Sequence, residues 1–427
     1  MVRVSPMDRS THWLWGGLLC VLPLVASAQS VESDVPDGFV PNTPDAYFVP
    51  DFSQDVYKST SHVDELDRFS IKLGLVALVD YTDFSQDNAS IQQVGVQDDA
   101  WQARSIRFMA RGHFEMWRKW NYVVSYEYKG FDKNSDANWS STDITLATDI
   151  AHLGTLTIGK MKEPFVYEMV GDAANLPHTE RLMSPFFVSR NTGIRLSNTM
   201  FEQRGTWTVG VYNNWLSTDT SFNDAGLDVA ARVTALPIWF DDFSEYLHVG
   251  ASVRYYSGAN GVLRFKGKPA SNVAANYVDT GNLDGSHAWN MGLEALYARK
   301  GWSLLGEYVR SETSLRAQPD ASLEGWYLTG SWVMTREARP YDRKVGYARR
   351  VQPTGHWGAF EFIGRVGRVD LDDANVRGGT MDGWWAGVNW WATRRWKASV
   401  TYGNVDLERG GYDGNTKAWL YRLQWIY

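Results

Sequence analysis

From about residue 68 to the last residue, apolar side chains in this chain recur at every second position. In Ser70 to Thr82, Ile71, Leu73, Leu75, Ala77, Val79 and Tyr81 alternate with Ser70, Lys72, Gly74, Val76, Leu78 and Asp80. A helix would space its apolar residues by three and four, whereas neighbouring residues of a strand point to opposite faces. The pattern returns in Ser105–Glu115, Asn121–Lys129, Asp228–Ala235, Leu247–Tyr256 and Trp396–Tyr402. About 16 or 17 such segments of roughly ten residues can be drawn, the length a tilted strand needs to cross a bilayer. The expected fold class is all-β, a transmembrane antiparallel β-barrel. Sixteen strands are expected, because single-chain bacterial barrels close with an even number.

The last nine residues sharpen this. Trp419, Tyr421, Leu423, Trp425 and Tyr427 share one face, and Arg422 and Gln424 lie on the other. On the edge of a soluble sheet, four exposed aromatics would invite aggregation. The segment looks like the closing strand of a bacterial outer-membrane barrel, a resemblance that implies reading by the barrel-assembly machinery. Tyr427 departs mildly from it, phenylalanine being commoner there.

At the other end, Arg3 and Arg9 precede an apolar stretch from Trp13 to Val25, and Ala26-Ser27-Ala28 follows. This predicts a secretory signal, residues 1–28, cleaved near Ala28. Its thirteen apolar residues fall short of the roughly 20 needed to span a bilayer as a helix. Leu19 before Cys20 argues against a lipoprotein, and the mature chain has no cysteine for disulfide or thiol chemistry. A net charge of −7 does not suggest nucleic-acid binding. The 21 Trp and 21 Tyr fit interfacial girdles; a secreted glycan-binding protein is the rival reading.

Residues 29–67 carry Pro36, Pro41, Pro44 and Pro50 among acidic residues and read as a periplasmic arm before a barrel domain at 68–427. Turns alternate in length. Arg118-Lys119 and Arg299-Lys300-Gly301 are short, whereas Asp83 to Ala100, Lys266 to Ser286 and Arg336 to Gly355 are long. Short periplasmic turns and long external loops are expected of such a barrel.

A more specific resemblance begins at Gly154 and runs through Thr155-Leu156-Thr157-Ile158-Gly159-Lys160-Met161-Lys162-Glu163-Pro164-Phe165. Further pieces follow in order: Thr179-Glu180-Arg181, Thr192-Gly193-Ile194, Val209-Gly210-Val211-Tyr212-Asn213, Ala231-Arg232-Val233-Thr234, Gly358-Ala359-Phe360-Glu361 and Gly387-Val388-Asn389-Trp390. Together they resemble the phosphate-selective porin O and P family over roughly Arg68 to Tyr427. The resemblance implies a homotrimer of 16-stranded barrels in the outer membrane, among lipid and lipopolysaccharide. It also implies a third external loop, here Glu163 to Arg190, folded inward as a constriction. The implied function is a water-filled channel for passive diffusion of small hydrophilic or anionic solutes, without cofactor or metal.

Selectivity in such a lumen depends on its width and lining charges. Alternation predicts Arg107, Arg111, Arg195, Arg232 and Arg254 inward, with Arg104 out of phase with Arg107. Lys162, Arg181 and Arg190 lie at or in the inward loop. These nine are the candidates for guiding solute. The alternative is that arginines pair with carboxylates and pin the loop, with Glu127, Asp143, Glu163 and Glu180 as partners. Phosphate-selective members resemble one another in a loop lysine directly after an acidic residue, but the corresponding pair here is Glu168-Met169. That departure weakens the case for a phosphate site.

No histidine sits in a recognised nucleophile motif, and neither a His-x-x-x-His pair nor a P-loop occurs. His113 and His248 are expected to face the lumen as solvated or paired groups, and an enzyme is not expected. A non-conducting adhesin or scaffold is the alternative function, but it leaves the inward-loop motif unexplained.

Overall fold

A computed structural model describes residues 68–130, 139–215 and 226–427. The predicted signal peptide and periplasmic arm lie outside them. Sixteen long strands form the wall. The first eight are β1 (Phe69–Gln86), β2 (Ala100–Glu115), β3 (Lys119–Gly130), β4 (Trp139–Ile150), β5 (Gly154–Met161), β6 (Asn191–Met200), β7 (Gly205–Asn213) and β8 (Leu227–Trp239). The second eight are β9 (Glu245–Tyr256), β10 (Leu283–Arg299), β11 (Trp302–Leu315), β12 (Ala321–Val333), β13 (Ala359–Asp373), β14 (Val376–Trp391), β15 (Trp396–Arg409) and β16 (Tyr412–Ile426). Each pairs antiparallel with its neighbours in sequence.

The ring closes where β16 pairs with β1, from Val76 opposite Ile426 to Gln86 opposite Thr416. Leu75 and Tyr427 extend the seam by exchanging backbone hydrogen bonds of 2.9 and 2.8 Å. Closure removes both open edges of the sheet. The two-residue alternation then sorts side chains into an outer and an inner face. Leu73, Leu293 and Leu423 are exposed outward, whereas Asp80, Arg107, Arg232, Arg254 and Arg422 are buried inward. No described helix is long and apolar enough to cross a membrane, which says nothing about crossing by strands.

Three insertions occupy the interior or its mouths. Between β5 and β6, residues 162–190 turn inward, with one α-helical turn, Tyr167–Val170, and one 3-10 turn, Ser184–Phe186. Phe165, Tyr167, Met169, Leu182, Met183 and Phe186 of this segment are buried in one cluster with Val309, Leu323 and Tyr327 of the wall. Each such side chain, once buried, contributes roughly 1.5–3 kcal/mol. Between β9 and β10, residues 257–282 arch across one mouth. Asn272 donates to Gln102 at 3.0 Å and the Tyr277 hydroxyl to Thr416 at 2.9 Å.

The third insertion corrects the sequence expectation. Residues 334–358, which contain the stretch from Arg336 to Gly355 expected as a long external loop, start at the short-turn end. Trp332 stands opposite Trp302, and the Val333 amide donates to the Gly301 carbonyl at 2.7 Å. Strand direction is set by register, so a long connection after β12 must leave from the end of the Lys300-Gly301 turn. It stays long because it folds up into the barrel, burying Tyr341, Tyr347 and Val351.

Candidate functional site

The inner wall and the three insertions meet in a lattice of charges. Its central member is Glu168, on the helical turn of the inward segment and fully buried. Arg365 of β13 donates to its carboxylate at 2.5 Å, His178 lies 2.9 Å away, and the Leu182 and Met183 amides donate at 2.9 and 3.0 Å. Burial pushes the Glu168 carboxyl up, but Arg365 and His178 outweigh it and hold it down at about 2. Burial, then Arg365, pushes the His178 imidazole down to about 4, so it is neutral near pH 7.

The nine cationic candidates are distributed as follows. Arg107 donates to Glu127 at 2.7 Å, and Arg190 to Asp143 at 3.0 Å. Arg254 binds Glu163 at 2.5 Å and Asp228 at 2.8 Å. Arg232 binds Glu294 at 3.0 Å through Nε and the carbonyls of Val345 and Gly346 at 3.0 and 2.6 Å. Arg104 grips Glu180 with two hydrogen bonds of 2.6 and 3.1 Å. Its direction follows from a bulge: Leu78 faces Ser105 but Val79 faces Ala103. The extra residue at 104 breaks the parity that would have turned it away from Arg107.

Other candidates serve the inward segment itself. Arg181 donates to the carbonyls of Glu168 and Gly171, and burial pushes its guanidinium down to about 10. Lys162 donates to the Gly171 carbonyl at 3.1 Å, and burial pushes its ammonium down to about 7. Arg195 is buried on β6, its Nη1 3.4 Å from the Lys162 carbonyl. Arg111 is half-buried on β2, opposite Lys72 and Val123. His248 faces inward, between the Tyr341 hydroxyl at 2.6 Å and Glu294 at 2.9 Å. His113 is half-buried on β2, its Nδ1 2.7 Å from the Ser70 hydroxyl.

Sequence reasoning missed several members. Arg422 of the closing strand binds Asp80 at 2.7 Å, Glu180 at 2.5 Å and the Thr179 carbonyl at 2.6 Å. Two residues on, Gln424 donates to the Ala174 carbonyl at 3.1 Å. Arg365 and Glu294 also went unnamed, and Glu361 was quoted only within a family motif, although each sits at an inward position of an alternating strand. Arg339 has no such signal: it belongs to the short-turn-end insertion and reaches Glu361 and the Asn175 carbonyl only through tertiary folding. At the opposite mouth a cavity of about 530 Å³ is lined by Pro185, Phe187, Arg254, Tyr256, Lys266 and Lys268, among others.

A closed antiparallel ring with an apolar outer face, a charged interior and a long loop folded inside defines an outer-membrane porin. The model for the family described as phosphate-selective porin O and P matches residues 71–427. The chain belongs to that family and is an outer-membrane channel. Solved barrels share the fold. The anion-selective porin from Comamonas acidovorans is 12% identical, with a TM-score of 0.54 over 84% of this chain and 100% of that one. Pseudomonas putida OprB is 9% identical, with a TM-score of 0.52 over 84% and 94%. OmpT of Vibrio cholerae is 9% identical, with a TM-score of 0.54 over 86% and 100%. An uncharacterized protein of Caulobacter vibrioides is 25% identical over 173 residues, 38% of this chain. The chain spans about a third, 34%, of that relative's length.

Proposed function

We propose that the channel passes small hydrophilic solutes by passive diffusion, with at most a weak preference for anions, and that residues 163–190 act as its constriction. The pairing of the lumen arginines carries this reading. Arg107, Arg190, Arg232 and Arg254 each hold a carboxylate, and among the described residues buried cations and buried carboxylates occur in nearly equal numbers. A neutralised row pins loops more than it attracts ions, so Glu127, Asp143, Glu163 and Glu180 serve as anchors. At the opposite mouth Lys266 and Lys268 line a cavity together with Arg254 and Asp228. Glu168 and Met169 are both buried, and no lysine stands at that pair to hold phosphate. The anion selectivity named for the Comamonas acidovorans porin supports at most the direction.

The working unit is a homotrimer; a trimer form of OmpT is known. The assembly machinery acts through β16, and the channel performs no catalysis. Reversal potential in a salt gradient tests the reading. A value near zero or slightly toward the anion supports it, and a clear cation preference or strong block by phosphate would overturn it.

A further inference from the structure

On the outer face, Gly330 of β12 stands in register with Gly364 of β13, and Leu304 of β11 lies opposite Gly330. Neither glycine is required by packing. A Cβ on Gly364 would meet nothing within 4 Å, and one on Gly330 would meet only Gly364 O and Leu304 Cδ1, both at 4.0 Å. The missing side chains leave an open notch of about 440 Å³, lined by Tyr297, Trp302, Leu304, Trp332 and Phe362, among others. Trp302, Trp332 and Phe362 form a continuous stack, with ring centroids 5.2 and 5.7 Å apart, at the edge facing the periplasmic turns. The Val333-to-Gly301 hydrogen bond brings two of those turns together, with the Arg336 backbone close against Gly301, and Lys300 and Arg336 are both exposed on these adjoining turns just beyond the stack.

We propose that this notch binds an anionic phospholipid of the periplasmic leaflet. One acyl chain would run along the aromatic stack into the space above Gly330 and Gly364, and the phosphate would meet Lys300 and Arg336. Charge order argues for this occupant. Basic groups stand at headgroup level, amphipathic rings next, and the apolar recess roughly two strand positions, or about 7 Å, deeper. Glu337, the nearest acid in sequence, accepts from Thr335 and Thr354. A second copy of the chain has a better surface elsewhere. β5 has 8 residues and β7 has 9, at or below the roughly 9–11 a tilted strand needs, so that wall gains most from protein cover. β12, with 13 residues, stands five strands beyond β7 round the ring, outside that short wall.

Native mass spectrometry of the purified, folded protein with phosphatidylglycerol or phosphatidylethanolamine tests this. Wild type should retain phosphatidylglycerol preferentially. Charge reversal at Lys300→Glu and Arg336→Glu should weaken that preference, about fivefold per basic residue. Gly330→Leu with Gly364→Leu should abolish retention of both lipids while heat-modifiable gel mobility stays that of a folded barrel. Equal retention of the two lipids by wild type, or unchanged retention in the leucine variant, would overturn the site. Loss of the oligomer in the leucine variant would assign the face to another copy of the chain instead.

Discussion

Arg365 in the barrel wall donates to Glu168 at the centre of the inward loop across a span of 197 residues, and both side chains are buried. Once the two are folded together neither charge has water to return to, which makes the contact an anchor. Removing one partner of such a buried pair typically costs about 3–5 kcal/mol, because the other is left uncompensated. Arg365→Ala is therefore expected to release the loop within an otherwise closed barrel. Trypsin should then cut at Arg181 in the folded protein, and single-channel current should become noisier. Unchanged protection at Arg181 would contradict this.

The same pocket predicts a pH dependence. An ordinary imidazole titrates near 6.5, and His178 is pushed down to about 4 by burial and then by Arg365. On acidification the released loop therefore takes up a proton before the docked one does. Docking is at full strength above about 6.5, weakens as pH falls toward 4, and loses nothing further from this group below that. Glu168, held at about 2, stays charged throughout. Current noise followed from pH 7 to 4 should rise in wild type and change less in His178→Gln. Identical profiles would exclude His178 as the cause.

The periplasmic insertion meets the inward loop inside the barrel. The Ala348 amide donates to the Tyr167 hydroxyl at 2.8 Å, and Arg339 to the Asn175 carbonyl at 3.0 Å. Replacing residues 340–351 with a short Gly-Ser turn should leave the wall intact and raise unitary conductance, on the order of twofold, as the cross-section widens. Planar-bilayer recording checks this, and an unchanged step size would mean that the insertion does not limit flow.

If pairing neutralises the wall arginines, unpairing one should reveal its charge. Glu163→Gln with Asp228→Asn removes both carboxylates of Arg254. The reversal potential in a potassium chloride gradient should then move toward chloride, because an uncompensated cation in a narrow low-dielectric lumen attracts anions. No shift would mean that Arg254 lies off the permeation path.

A further consequence concerns the seam. Arg422 binds Asp80 across the β1–β16 junction and Glu180 in the inward loop at once. Arg422→Leu should lower the temperature at which the barrel loses its compact gel mobility, by more than Trp419→Leu on the outer face does. Equal shifts would show that the seam does not depend on this bridge.

Much of this architecture was legible in the residues. Alternation alone places Asp228, Arg232 and Arg254 on one face, because a strand has no other way to dispose of neighbouring side chains. The polar positions Arg422 and Gln424 between aromatics likewise marked an inward face, and the family motif marked where the inward loop begins. Arg104 resisted the same rule because a one-residue bulge reset the parity. The destination of residues 334–358 resisted it because loop length says nothing about which end of a barrel a loop leaves or whether it turns inward.

By itself, then, the sequence determined a closed, membrane-crossing barrel and which side of each strand meets water, since period-two hydrophobicity is a local property of the backbone. Which charge would neutralise which was decided only by the tertiary structure. Glu168 and Arg365, or Arg339 and Glu361, come together through loops that fold inside the ring, and burial rather than sequence proximity makes each need the other.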